Sequence, residues 1–123
     1  MDCIFCKIID GSIPSYTLYE DDFVKCFLDI NPDRNGHCLV IPKKHFKDIN
    51  DIDELTLSKI FECAKKMKKV LEEKLNIDGL TFIQNNGDVQ EVKHFHLHLK
   101  PFYNEKQNIK DVKEIYKILN SEN

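Results

Sequence analysis

His94-Phe95-His96-Leu97-His98-Leu99 is the stretch on which the reading of this chain turns. On a helix, residues two apart point to different sides; on a strand they share a face. The residues between the histidines are large and apolar, so the pattern predicts a strand over His94–Leu99 with a core face and a histidine face. Neighbouring histidines would then lie about 6–7 Å apart along the strand, and the outer two about 13 Å apart. Strand propensity alone would choose Thr, Val or Tyr for a wet face. A purification tag is excluded by the internal position and the alternation. Three readings stay open on the residues alone. They are a solvated sheet face, a zinc site using two of the rings, and a phosphate site where one imidazole attacks and another donates hydrogen bonds.

Working outward, the 123 residues predict one domain spanning 1–123. Tyr16–Glu20 and Phe23–Leu28 read as a hairpin closed by Glu20-Asp21-Asp22. Asn31-Pro32-Asp33-Arg34-Asn35-Gly36 is a dense turn signal, followed by a buried strand over His37–Ile41. Asp53–Leu75 is the clearest helix. Leu57, Ile60, Phe61, Ala64, Met67, Leu71 and Leu75 recur at three- and four-residue steps, with Lys65, Lys66, Lys68 and Lys69 on the wet side. Leu80–Gln84 is a further strand. Cys3–Asp10 and the Ile109–Leu119 segment read as short terminal helices. Strands and helices mix without βαβ alternation, so the expected class is α+β: about five antiparallel strands, one long helix and short terminal helices.

Composition narrows function. Eighteen Lys and Arg against 21 Asp and Glu give a net charge of −3, which argues against nucleic acid as the main partner. Arg34 is the single arginine, so phosphate recognition must use His, Lys or backbone N–H. No apolar run reaches membrane-spanning length, and the start of the chain has no export-leader pattern. The five cysteines then read as reduced thiols of a cytoplasmic protein. Cys26, Cys38 and Cys63 sit in apolar segments as core fillers, whereas Cys3-x-x-Cys6 has the spacing of a tetrahedral zinc half-site, a spacing that a redox motif or coincidence would also give.

The chain resembles the histidine-triad superfamily, in its Hint-like branch. The resemblance rests on His94-x-His96-x-His98 with apolar spacers and on ordered upstream blocks. These are Cys3-Ile4-Phe5-Cys6-Lys7-Ile8-Ile9, Ile13-Pro14, Tyr19-Glu20-Asp21-Asp22, Leu28-Asp29-Ile30-Asn31-Pro32, and Gly36-His37-Cys38-Leu39-Val40-Ile41-Pro42-Lys43-Lys44-His45. It covers Cys3 to about Pro101. It implies hydrolysis at the α-phosphorus of purine nucleotide conjugates, nucleoside 5′-phosphoramidates first. His96 would be the nucleophile, passing through a nucleotidyl-histidine. His98 would contact phosphoryl oxygens and help move protons, and His37 would be a further active-site histidine. Asn85 and Gln90 match polar positions beside the phosphate, and Asp29 matches a ribose-hydroxyl acceptor. Ile4, Phe5, Ile8, Ile13, Phe27, Leu28 and Ile30 resemble a base-binding wall. The resemblance further implies structural zinc on Cys3, Cys6, His45 and His94, chemistry that needs no Mg²⁺, and a homodimer. The alternatives are a dinucleoside polyphosphate hydrolase and a purine-nucleotide-binding module with little turnover.

The chain departs from the family pattern in four places. The segment before the triad is about two residues short and lacks an Ala-Gly before Gln90. Glu91 stands where many phosphoramidases have Ser or Thr, which alters proton delivery to the leaving group. Phe102 follows Pro101 where many relatives carry Arg. The C-terminal Asn120-Ser121-Glu122-Asn123 shows none of the tail motif of eukaryotic members.

Overall fold

The computed structural model describes residues 3–121. The readings placed on Met1, Asp2, Glu122 and Asn123 lie outside the described residues. The elements run α1 (Ile4–Ile9), β1 (Thr17–Glu20), β2 (Val24–Leu28), β3 (Cys38–Pro42), α2 (Glu54–Leu75), β4 (Gly79–Gln84), a 3₁₀ turn (Gly87–Val89), β5 (Leu97–Phe102) and α3 (Val112–Leu119). The five strands form one antiparallel sheet in the order β1-β2-β3-β5-β4. The expected α+β architecture is present.

The hairpin forms because Asp21 caps its tip. Its Oδ1 accepts the Phe23 and Val24 N–H groups at 2.8 and 2.9 Å, a side chain standing in for the turn's missing backbone acceptor. Helix α2 begins at the Asp53 cap, whose carboxylate accepts from the Thr56 N–H at 2.8 Å. Its apolar stripe packs as the period requires through Ile60, Ala64, Met67 and Leu71. Phe61 departs from the expectation: it is exposed and meets Phe82 of β4 edge-on at 6.1 Å.

Strand parity splits the interior in two. Val24, Cys26, Leu28, Cys38, Val40, Leu97 and Leu99 point to the α2 and α3 side. Phe27, Leu39 and Ile41 point to the opposite side, where α1 supplies Phe5 and Ile8. Helices thus cover both faces at the sheet centre, and every residue of β2 and β3 is buried. This placement corrects the reading of His94–Leu99. The strand begins only at Leu97, and Phe5 of α1 packs over His96, so of the open readings the solvated face is the one that falls away. His94, Phe95 and His96 lead into the strand, with the Phe95 N–H bonded to the Phe46 carbonyl at 2.7 Å.

Candidate active site

Each triad ring meets a fixed backbone or imidazole partner, and the partners dictate where the protons sit. His94 Nε2 lies 2.9 Å from the Pro42 carbonyl. A carbonyl only accepts, so Nε2 carries hydrogen and Nδ1 keeps its lone pair. His96 is the reverse. Its Nδ1 lies 2.8 Å from the His94 carbonyl, so Nδ1–H donates and Nε2 holds the free lone pair. His98 is set through His37. The Asp33 N–H donates to His37 Nδ1 at 3.2 Å, which leaves the hydrogen on His37 Nε2. That hydrogen points to His98 Nδ1 at 3.0 Å, and His98 must then carry its own hydrogen on Nε2.

Burial keeps these rings neutral. Desolvation lowers His37 and His96, and lowers His98 to about 4, with the neighbouring imidazoles adding to the shift of His98. A neutral nucleophile beside a neutral donor suits an anionic phosphoryl group. His96 and His98 stand with ring centres 5.0 Å apart, and Phe5 meets His96 edge-on at 5.1 Å.

Two cavities adjoin at His96 and His98. One, of about 210 Å³, is walled by Ile4, Phe5, Ile8, Ile13, Phe27, Leu28 and Ile30, with Asp29 at its rim. The other, of about 280 Å³, is polar and holds Asp29, His37, Asn85, Glu91 and Lys100. All seven apolar residues expected to wall the base therefore line one slot. Asp29 sits between slot and basin. Its Oδ1 accepts the Asn31 N–H at 2.9 Å and its Oδ2 lies 3.6 Å from His37 Nε2.

Gln90 is placed differently from Asn85. It is buried, its Nε2 donates to the Lys47 carbonyl at 2.7 Å, and its Oε1 accepts the Gly87 N–H at 3.1 Å. Its amide is spent on pinning the short segment before the triad and does not line the polar basin. The decisive acceptors and donors here, the Pro42 and His94 carbonyls and the Asp33 N–H, are main-chain groups that no residue-type motif marks. The turn signal at Asn31–Gly36 is the one trace of them in the sequence.

A second cluster lies behind the triad. Cys3 caps α1 through its sulfur, which accepts the Cys6 N–H at 3.3 Å. Cys3 Sγ and Cys6 Sγ lie 3.4 and 3.6 Å from His94 Nδ1. His45 Nδ1 lies 3.3 Å from Cys6 Sγ and 3.1 Å from His94 Nδ1. A tetrahedral zinc with bonds of about 2.0–2.3 Å has ligand–ligand edges of about 3.3–3.8 Å. Three of these separations fall in that range and the His45–His94 one lies just under it, all four ligand atoms lie within 4.8 Å of one another, and the Pro42 bond already aims the His94 lone pair inward. Burial, with the Cys3 sulfur beside it, pushes the Cys6 thiol up to about 11; a divalent cation is the partner that reverses both effects.

Asp29, His37 and His98 also place three potential ligand atoms within 4.8 Å of one another. The Asp33 N–H decides against a metal there, because it fixes hydrogen on the nitrogen that would have to ligate.

Comparison with known proteins agrees with this geometry. The HIT domain family model matches residues 10–105. An uncharacterized HIT-like protein of Methanocaldococcus jannaschii is 48% identical over 103 residues, 82% of this chain and 79% of that protein. An adenosine 5′-monophosphoramidase of Saccharomyces cerevisiae is 41% identical over 109 residues, 87% of this chain and 66% of its own. A zinc-bound histidine-triad family protein of Mycobacterium smegmatis superposes with a TM-score of 0.89 at 33% identity, covering 97% of this chain and 91% of that one. The ordered neutral triad, the slot beside it and the sequence match together place this chain in the HIT domain family.

Proposed function

We propose that this protein hydrolyses purine nucleoside 5′-phosphoramidates at the α-phosphorus through a covalent nucleotidyl-His96. The observation that carries this reading is the bare Nε2 of His96, held by the Nδ1–H bond to the His94 carbonyl at the junction of an apolar slot and a polar basin. The base would enter the slot against Phe5 and Phe27, and Asp29 would accept ribose hydroxyls. His98 Nε2–H and the Asn85 amide would donate to phosphoryl oxygens in the basin. Nε2 of His96 would attack phosphorus as the P–N bond pair passes to the amine nitrogen, and water would then release the nucleotide. Because neutral donors meet the phosphoryl charge, this scheme assigns no task to Mg²⁺.

Zinc fits the cluster of Cys3, Cys6, His45 and His94. It would serve as a structural crosslink joining α1, the segment after β3 and the start of the triad. The edge strand β4 with exposed Phe82, beside exposed Phe61 of α2, supports a homodimer, which light scattering would test. Five free thiols support a reducing, cytoplasmic setting. No helix of the described residues is long and apolar enough to cross a membrane.

The test is turnover of an adenosine 5′-phosphoramidate and of diadenosine polyphosphates by the wild type and by His96→Gly. Amine release by the wild type and its loss in the variant support the reading. Cleavage of the polyphosphates alone favours anhydride hydrolysis, and AMP binding without cleavage of either makes the protein a nucleotide-binding module.

A further inference from the structure

Proton accounting in the polar basin leads to a further catalytic residue. Attack by neutral His96 gives a phosphoryl-imidazolium, and the departing amine nitrogen must gain one proton. Hydrolysis of that intermediate returns one proton from the attacking water. Some group has to give the first and take the second. His96 cannot, because its Nδ1–H is bound to the His94 carbonyl and its Nε2 is the nucleophile. His98 can polarise but not deliver. Its Nδ1 already accepts from His37, whose own Nδ1 is tied to the Asp33 backbone N–H, and the Asp29 carboxylate, 3.6 Å from His37 Nε2, stands outside hydrogen-bond reach of that pair. If His98 surrendered its Nε2 proton, an imidazolate would remain on His98 or His37, and His98 has no free lone pair to take a proton from water. Asp29 accepts the Asn31 N–H and, in the reading above, the ribose hydroxyls. Asp33 is paired with Lys100.

Glu91 is what is left. It lines the slot and the basin together with His96 and His98. It is exposed, and among the described residues it has no ion pair and no side-chain hydrogen bond. We propose that Glu91 is the acid–base residue of the reaction. As the carboxylic acid it protonates the leaving nitrogen while the N–P bond breaks and the His96–P bond forms. As the resulting carboxylate it takes a proton from the water that attacks phosphorus, breaking the His96–P bond and restoring both groups. This assignment rests on the covalent reading above.

Glu91→Gln separates the two halves of the cycle. The probes are AMP joined to an alkylamine, which must be protonated to leave, and adenosine 5′-phosphofluoridate, whose fluoride leaves unprotonated. The expected result with the amine conjugate is a loss of roughly 10²-fold or more. With the phosphofluoridate, fluoride should be released in a burst near the wild-type rate, with adenylylated protein accumulating in intact-mass spectra. Equal losses on both probes without an adduct would overturn the assignment, as would unchanged turnover on both. A wild type inert on both probes would sink the underlying covalent reading instead. An unchanged melting temperature, expected at this exposed position, keeps the comparison one of chemistry.

Discussion

His37 Nε2 stands 3.0 Å from His98 Nδ1, and the backbone N–H of Asp33 decides which of the two carries the hydrogen. A main-chain donor cannot change its protonation state, so the tautomers of both rings follow from the turn that precedes β3. Replacing His37 by Ala removes the donor and frees His98 to place its hydrogen on either nitrogen. Phosphoramidate turnover should fall by roughly 10- to 100-fold, the scale on which misplaced donors act. Nitrogen NMR of the imidazoles should show one Nε2–H tautomer for His98 in the wild type and a mixture in the variant. A single retained tautomer in the variant would refute the relay.

Burial of His37 and His98 also sets a pH dependence of stability. Both bind a proton less readily folded than unfolded, His98 only near pH 4. The unfolded chain, with imidazoles near 6.5, therefore holds more protons between those limits. Stability is full above about pH 6.5 and is lost as the pH falls toward about 4. Thermal melts across that window should show Tm falling with acidity, and His98→Asn should flatten the slope. A slope unaffected by that substitution would place the titration elsewhere.

Much of this architecture was legible because spacing reports which face a residue takes. Alternation put His96 and His98 on the side opposite Leu97 and Leu99, and the helical steps placed Ile60, Ala64, Met67 and Leu71 in the core. What alternation cannot report is what covers a face. Helix α1 arrives from the other end of the chain, so the histidine side became a roofed pocket, and the strand starts three residues later than the pattern suggested. Gln90 was misplaced for a related reason. An amide beside a phosphate loop can face the ligand or hold the loop, and residue type does not distinguish them. The Lys47 carbonyl, more than forty residues away, captured its Nε2.

The cluster behind the triad gives a metal prediction with its own readout. Purified without chelators, the protein should carry about one zinc per chain by elemental analysis. Cys6→Ser should lower that content several-fold and reduce Tm, since a ligand set joining α1 to the triad contributes folding free energy directly. The variant should also lose part of its activity, because His94 presents the carbonyl that orients His96. A metal-free wild type that melts at the same temperature as Cys6→Ser would remove zinc from the account.

Gly36 precedes His37 and adopts φ +88°, where a side chain is strained. A Cβ there would lie 2.7 Å from Leu75 Cδ1 and 3.1 Å from Leu71 Cδ2. Both leucines belong to α2; the half-buried Leu75 can turn its methyl aside, but Leu71 is fully buried and Pro101 Cγ lies 3.3 Å away on the other flank, so the site stays crowded. The left-handed backbone costs about 1–2 kcal/mol, and overpacking adds about 1–3 kcal/mol. Gly36→Ala should therefore destabilise by roughly 2–5 kcal/mol, read as a lower urea midpoint at unchanged slope. Gly11 is the internal control. Its φ is +87°, but nothing lies within 4 Å of the position a Cβ would take. Gly11→Ala should carry only the backbone cost, about 1–2 kcal/mol. Equal losses in the two variants would show that α2 yields freely at Leu71 and Leu75. A larger loss at Gly36, with reduced turnover, would show that the helix holds the turn from which His37 is presented.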